Sequence, residues 1–388
     1  MKKVLWLASW YPSRLDAFDG DFIQRHARAV AQFCRVQVIY VVKDKTKSLV
    51  PGKEEMVTGN LNEQVIYYHS PATGIKLLDK VLSQRVYMRL YRKAITEYIK
   101  KNGPPERVHV HVTMKAGLAA LWIKRKWNIP FIVSEHWGAY LPEADIRIEN
   151  YSLLYRMALQ RILEKAIAVT TVSDHLGKAI QKHFPAISYR VIPNVVDTTI
   201  FFPAEKTANG KTRLIHASGM DFPKNMEGIL QAMKFLKEVY TDFELNIYGP
   251  VKPTLQGMVI ALGLQNHVFF KGEVPQPELA GAMQQADALI LYSRFETFGC
   301  VLIEANACGI PVIVSNLKIF HELITEKENG IFVKENDPRA LAENIMTFIS
   351  EKKVFNKMQV ATAAANKYNY GEIGRQFLEL YDLIPGKI

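Results

Sequence analysis

Short apolar runs rich in β-branched residues recur along the chain, separated by longer stretches whose apolar positions repeat every three or four residues. In the first half the runs are Val4–Leu7, Val36–Val42, Val65–Tyr68, Val108–Val112, Phe131–Val133, Ala168–Val172 and Tyr189–Ile192. In the second they are Thr212–Ala217, Phe243–Tyr248, His267–Phe270, Ala288–Tyr292, Pro311–Val314 and Ile331–Val333. Strands alternating with helices of about ten residues or more predict parallel sheets covered on both faces and joined by right-handed crossovers. The alternation breaks at Pro193-Asn194-Val195-Val196-Asp197, Phe201-Phe202-Pro203 and the polar stretch Ala204–Lys211, which reads as a linker. The pattern predicts an α/β protein of two Rossmann-like, doubly wound parallel-sheet domains, 1–195 and 196–370. Ligands of such sheets lie beyond the carboxyl ends of the strands, so the site is expected in the cleft between the domains.

Composition narrows the class. The chain has 388 residues, 48% of them hydrophobic and 22% charged, which excludes extended disorder. No apolar run approaches the ~18–20 residues of a spanning helix. Met1-Lys2-Lys3 followed by Val4–Trp10 imitates a signal peptide, but it lacks a small-residue cleavage site and reads as a buried first strand. Cys34, Cys300 and Cys308 make no CxxC pair, so a reducing, cytoplasmic setting is expected. Charge is unevenly shared. Residues 1–195 carry 30 Lys and Arg against 16 Asp and Glu, a balance of +14, while the rest of the chain balances at −3. Such an asymmetry concerns partners rather than fold.

The densest chemical signal is Ala286–Ser315. A strand at Ala288–Tyr292 leads through the loop Ser293–Phe298 into a helix over 299–308, with Gly309 as its C′ residue. Backbone N–H groups around Thr297, Phe298 and Gly299 then sit at a helix N-terminus beyond a strand's carboxyl end, a place that binds an anion without a metal. Glu304 lies about 7.5 Å further along the helix, a span that suits a nucleotide with its diphosphate at the tip and its ribose beside Glu304. Glu296, before the helix, would face the group beyond the diphosphate. A second strand–loop–helix cradle is formed by His216-Ala-Ser-Gly219-Met-Asp-Phe-Pro-Lys224-Asn225 ahead of the helix Met226–Val239.

Glu296 and Glu304 form Glu-x7-Glu, and "SRFETFGCVLIEANACGIPVIVS" resembles the signature of retaining glycosyltransferase family 4, whose glycosyltransferase-B architecture sets two Rossmann-like domains face to face. "VIPNVVDTTIFFP", "ELNIYGP", "VFFKGEV" and the Asn329-Gly330 turn are similar to family segments in the same order, so the resemblance covers essentially the whole chain. It implies that Glu296 contacts the donor sugar and Glu304 the ribose. It implies that Phe298 and Gly299 amides hold the diphosphate, that Lys224 and Asn225 assist, and that the strand ends at Gly249 and Val274 line the base pocket. Gly20, in Asp19-Gly20-Asp21-Phe22, resembles the family's first-loop glycine, which lets backbone approach the phosphates. His136, in Ser134-Glu135-His136-Trp137, matches a histidine that touches the transferred sugar. Family members usually carry an arginine just after the Gly219 position, where this chain has Met220. A last helix, about 371–388, is expected to cross back to the first domain.

The expected function is that of a retaining, metal-independent hexosyltransferase moving sugar from a UDP- or GDP-type nucleotide sugar to a hydroxyl of a carbohydrate or lipid-linked acceptor, in the synthesis of cell-surface polysaccharide, lipopolysaccharide or glycolipid. No cofactor or metal is expected, since no Asp-x-Asp motif appears in the donor loops of the second domain. Met220 motivates the alternative of a non-catalytic nucleotide-sugar binder, and an epimerase shares the architecture. A glycoside hydrolase would need its two carboxylates astride one bond, which Glu304, five residues inside a helix beside a phosphate cradle, does not supply. Nucleic-acid binding rests on basicity alone. His109 and His111 share a strand face, yet no third metal ligand is evident in sequence, so they read as structural. The helical stretch 77–101 shows an apolar stripe of Leu78, Val81, Leu82, Val86, Leu90 and Ile99. It also carries Arg85, Arg89, Arg92 and Lys93, which, with the +14 balance, predicts that the first domain meets an anionic membrane surface, at the inner face of the cell membrane, or an acidic lipid-linked acceptor.

Overall fold

The computed structural model describes residues 1–207, 210–351 and 354–383. The chain divides into two compact units. The first takes Met1–Tyr140, Arg147–Val195 and the segment from Tyr370 onward; the second takes Leu141–Ile146 and Val196–Asn369.

The first unit runs β1 (Lys3–Ala8), α1 (Asp21–Ala31), β2 (Arg35–Lys43), β3 (Gly52–Thr58), β4 (Leu61–Tyr68), α2 (Lys76–Asn102), β5 (Arg107–His111), α3 (Gly117–Trp127), β6 (Phe131–Glu135), α4 (Leu153–Lys165), β7 (Val169–Thr171), α5 (Asp174–His183) and β8 (Arg190–Val191). Its eight-stranded sheet has the order β3-β4-β2-β1-β5-β6-β7-β8. Every pairing is parallel except β3 with β4. The apolar pattern misses β3 because Gly52–Thr58 is almost wholly exposed and charged, as suits a sheet edge. A short signal was available. The hairpin turns on Gly59-Asn60, with Gly59 at φ 59°, and a two-residue hairpin turn needs such a positive φ at its first central position.

Val4–Trp10, the apolar start of the chain, contains the buried central strand β1. Its Val4, Trp6 and Ala8 pack with Ile23, Ala27 and Val30 of α1. The helix α12 (Tyr370–Tyr381) belongs to this unit and adds Ile373, Phe377, Leu380 and Tyr381 to the same core. Residues 384–388 of the expected last helix lie outside the described residues.

The stripe expected on α2 is not the one that is buried. Tyr87, Tyr91, Ala94 and Ile95 are inside, whereas Leu78 and Val81 are exposed. Tyrosine can bury its ring because its hydroxyl finds a carbonyl, here Tyr91 Oη donating to Ala8 O at 2.7 Å. A hydropathy stripe built on leucine and valine does not register that option.

The second unit runs β9 (Thr212–Ala217), α6 (Met226–Val239), β10 (Phe243–Tyr248), α7 (Pro253–Ala261), β11 (Val268–Gly272), α8 (Gln276–Gln284), β12 (Ala288–Leu291), α9 (Cys300–Ala307), β13 (Val312–Ser315), β14 (Gly330–Val333), α10 (Pro338–Glu351) and α11 (Lys357–Tyr368). The sheet order is β11-β10-β9-β12-β13-β14, parallel throughout. The chain winds outward from β9 through β10 and β11, then returns to β12 and winds the other way. The chain therefore leaves β9 and β12 in opposite directions at the strands' carboxyl ends, the topological switch point at which such sheets form a ligand-binding crevice.

Candidate active site

Loop Ser218–Asn225 leaves β9, and loop Tyr292–Gly299 leaves β12. Lys224 Nζ on the first is bonded to Glu296 Oε1 on the second, and Ser293 Oγ donates to the same oxygen at 3.0 Å. Both side chains are largely shielded, at 24% exposure for Lys224 and 9% for Glu296. Arg294 fastens the loops together. Its N–H donates to Pro223 O at 2.7 Å, its Nη1 to Phe222 O at 2.5 Å, and its guanidinium lies 4.5 Å over the Phe222 ring. Ser293 and Arg294 are contributors the sequence reading left out; they stand beside Glu296 in the chain, but only the fold shows what they bond.

His216, inside β9, sits beneath this pair. Burial above all holds its pKa down at about 4, with the charge of Lys224 acting the same way. The neutral ring donates Nδ1–H to Ile290 O at 2.8 Å and accepts from Ser218 Oγ at Nε2, also at 2.8 Å. Strand and loop are thereby tied without adding charge.

Gly299 is the N-cap of α9, at φ 92°, a conformation side-chain-bearing residues rarely adopt. A Cβ there would come within 3.2 Å of Leu302 and 3.3 Å of Phe320. The helix behind it is apolar and buried, and its N-terminal end carries the positive pole of the helix dipole. Thr297 is half-buried and Phe298 fully buried beside this tip. Glu304 lies on α9 at 5% exposure, and its charge joins burial in pushing the Cys308 thiol up to about 12.

The remaining expected donor contacts surround the crevice. Gly249, at φ 137°, passes so close to the β9 exit that a Cβ would fall 1.9 Å from Ser218 O. Glycine is demanded here by the protein's own packing. Val274 is half-buried between β11 and α8, Gly219 sits in the β9 loop, and Asn225 caps α6 in the left-handed region with its side chain against Gly228. Met220 is 3% exposed and belongs to the hydrophobic core of the unit. A cation still reaches that turn. Lys252 Nζ, from the loop after β10, donates to Met220 O at 2.5 Å and pairs with Asp221 at 3.2 Å. The sequence reading recognised only Lys224 as a cation here, because Lys252 follows a different strand.

In the first unit Gly20 is the N-cap of α1 at φ 65°, and a Cβ on it would lie 2.7 Å from the Trp10 backbone. Local packing alone accounts for that glycine. His136 follows β6, 5% exposed, among three further buried histidines. His109 is fully engaged, with Tyr381 Oη and Ser134 Oγ each at 2.7 Å. His111 Nδ1 and His136 Nε2 share a hydrogen bond at 3.4 Å. Burial holds His109, His111 and His136 well below the usual histidine range and His26 at about 4, so all four are neutral at pH 7.

Among the described residues the pair His109–His111 gains no third ligand, but His111 lies among other histidines that the strand pattern does not reveal. Ring nitrogens of His26, His111 and His136 come within 4.8 Å of one another, because β6 pairs with β5 and the His26 ring of α1 lies beside both of theirs. Three neutral imidazoles are chemically able to hold a d-block cation. Their spare atoms, His26 Nδ1, His111 Nε2 and His136 Nδ1, are buried without a protein partner.

Two family models match the chain in succession. "Glycosyltransferase Family 4" matches residues 56–200, and "Glycosyl transferases group 1" matches residues 197–367. The chain belongs to glycosyltransferase family 4. Among curated relatives it is 25% identical over 309 residues to a D-inositol 3-phosphate glycosyltransferase of Corynebacterium urealyticum, covering 72% of this chain and 71% of that protein. Among solved structures it resembles a sucrose-phosphate synthase from Thermosynechococcus elongatus, with TM-score 0.79 and 19% identity over 98% of both chains. It also resembles Anabaena HepE in complex with UDP and glucose, with TM-score 0.72 and 17% identity over 98% of this chain and 99% of that one. The family 4 chain thus has two parallel-sheet α/β domains of the glycosyltransferase-B kind, with its Glu-x7-Glu segment at the switch point of the second sheet.

Proposed function

We propose that the protein is a retaining hexosyltransferase that moves a sugar from a nucleotide diphosphate to a hydroxyl of a carbohydrate or lipid-linked acceptor, in cell-surface polysaccharide or glycolipid synthesis. The observation that carries this reading is the convergence of Lys224, Glu296 and the α9 N-terminus at one switch point. A nucleotide binder alone would need the helix tip and Glu304. It would have no use for a second, shielded carboxylate paired to a lysine beside them.

In this reading the donor diphosphate takes the α9 amides around Gly299 and draws on Lys224, while Glu296 accepts hydrogen bonds from the sugar. Stabilising the leaving charge with fixed donors, and positioning the acceptor, accounts for the catalysis. Gly249 and Val274 border the base, and Glu304 takes the ribose. His136 Nδ1, buried and without a protein partner, offers a neutral hydrogen-bonding atom to a sugar hydroxyl. The resemblance to a structure holding UDP and glucose favours UDP as the nucleotide to try first. The cytoplasm, where nucleotide sugars are made, is the expected setting.

Radiolabelled UDP- and GDP-sugars, offered with excess chelator, test the proposal. Label released or transferred without a divalent ion is expected; turnover only with added metal would defeat the metal-independent form. No turnover, but micromolar nucleotide affinity, would leave the non-catalytic binder.

A further inference from the structure

Part of the first unit's charge excess is gathered on one face. Helix α3 lies against both α2 and α4, and the three enclose a basin of about 490 Å³. Its walls include Arg92, Trp122, Lys124, Arg125, Arg161 and Lys165, and no acidic side chain lines it. Among the described residues, none of these five cations is paired with a carboxylate; the nearest polar tie is Lys124 Nζ donating to Lys165 O at 2.7 Å. Arg92 lies 5.5 Å over the Trp122 ring, which holds one wall in place. A neighbouring hollow along α2, lined by Gln84, Arg85, Met88 and Arg89, shares Arg92 with the basin. Like charges crowded together without a counter-charge repel one another. Burial first, and then the Lys165 charge, accordingly lower the pKa of Lys124.

Two helices continue this cationic face into exposed apolar residues. On α2 the positions Leu78, Val81, Arg85, Arg89 and Arg92 step by three or four and so share one stripe. On α4 the same holds for Leu154, Met157, Arg161 and Lys165. Leu78 is 42% exposed, Val81 43%, Leu154 78% and Met157 56%. A soluble phosphate would be served by the cations alone. Basic residues that grade into exposed leucine, valine and methionine along the same stripes fit an interface in which phosphates meet hydrocarbon.

We propose that this face docks on an anionic phospholipid bilayer, with the α2–α3–α4 basin taking headgroup phosphates and the apolar turns of α2 and α4 entering the headgroup boundary. The inference rests on the first unit alone and does not depend on the transfer chemistry assigned to the second. Each basic residue near an anionic surface contributes roughly 1 kcal/mol, so five in one basin are enough for reversible binding that weakens with salt.

Sedimentation of the full chain with vesicles tests it. Binding is expected to phosphatidylglycerol-containing vesicles at low salt, with none to pure phosphatidylcholine. Arg92→Glu with Arg161→Glu should lower the bound fraction at least tenfold, and Leu78→Ser with Val81→Ser should lower it severalfold. The pair Arg92→Gln and Arg161→Gln serves if charge reversal impairs folding, and melting curves report that. UDP affinity, measured by calorimetry on the same variants, should be unchanged, which separates this proposal from the donor-site reading. Equal partition onto both vesicle types, or full binding by the variants, overturns it. Binding of inorganic pyrophosphate that Arg92→Gln and Arg161→Gln abolish, without sedimentation on either vesicle, would assign the basin to a soluble anion and overturn it equally.

Discussion

Lys224 and Glu296, seventy-two residues apart, hold each other across the crevice between the loops that leave β9 and β12. The two groups with separate expected tasks, one on the leaving diphosphate and one on the sugar, form a single neutral pair. A donor must engage them together, and removing either strands the other in a shielded site.

That coupling changes what a lysine deletion does. Lys224→Ala should lower kcat/KM at least tenfold, about 1.4 kcal/mol. It should also lower stability by about 1–3 kcal/mol, because the Glu296 carboxylate loses its partner. The double change Lys224→Met with Glu296→Gln should recover part of the stability and none of the turnover. Additive losses of stability in a double-mutant cycle would show that the pair is not coupled.

The two glutamates of the signature should separate by function. Glu304→Ala, on α9, is expected to weaken UDP or GDP binding, whereas Glu296→Ala should reduce turnover and leave free-nucleotide affinity nearly intact. Titration calorimetry on both variants decides it; equal losses of affinity would contradict the assignment.

Met220→Arg is expected to destabilise the second unit rather than restore a missing cation, because Met220 lies in its core at φ 56°. A buried guanidinium without a partner is costly. The charge that reaches this turn is Lys252, so Lys252→Met should weaken UDP by about fivefold, about 1 kcal/mol, and leave uridine unaffected. Equal affinities of wild type and Lys252→Met for UDP would remove Lys252 from the donor site, and an unchanged melting temperature for Met220→Arg would contradict the burial argument.

The buried histidines predict acid lability. His26 and His216 are held down at about 4 by burial, against 6.5 for an exposed imidazole, and His109, His111 and His136 are lowered too. Below 6.5 the unfolded chain takes up protons that the native protein refuses, so stability falls as pH drops from about 6.5 towards 4. Asp19, raised to about 6 by burial, acts in the opposite sense over part of that window but is a single group. Melting temperatures at pH 7, 6 and 5 should decline in that order. A flat profile would mean that these rings are charged or solvated in the native state.

The sequence by itself determined the class of the protein. Alternating β-branched runs and amphipathic stretches are enough for two doubly wound sheets, because each strand's burial on both faces is written in its own residues. Glu296, Thr297, Phe298, Gly299 and Glu304 were legible as one strand–loop–helix cradle, since a single turn of chain builds it. Tertiary structure alone decided which groups meet. Lys224 finds Glu296, and Lys252 finds Met220, only because β9 lies between β10 and β12. His26 joins His111 and His136 because β6 pairs with β5 and α1 brings its ring beside theirs. The edge strand β3 and the tyrosine-lined face of α2 were missed for a related reason: a charged strand and a polar-tipped ring acquire their places from neighbours that hydropathy along the chain does not specify.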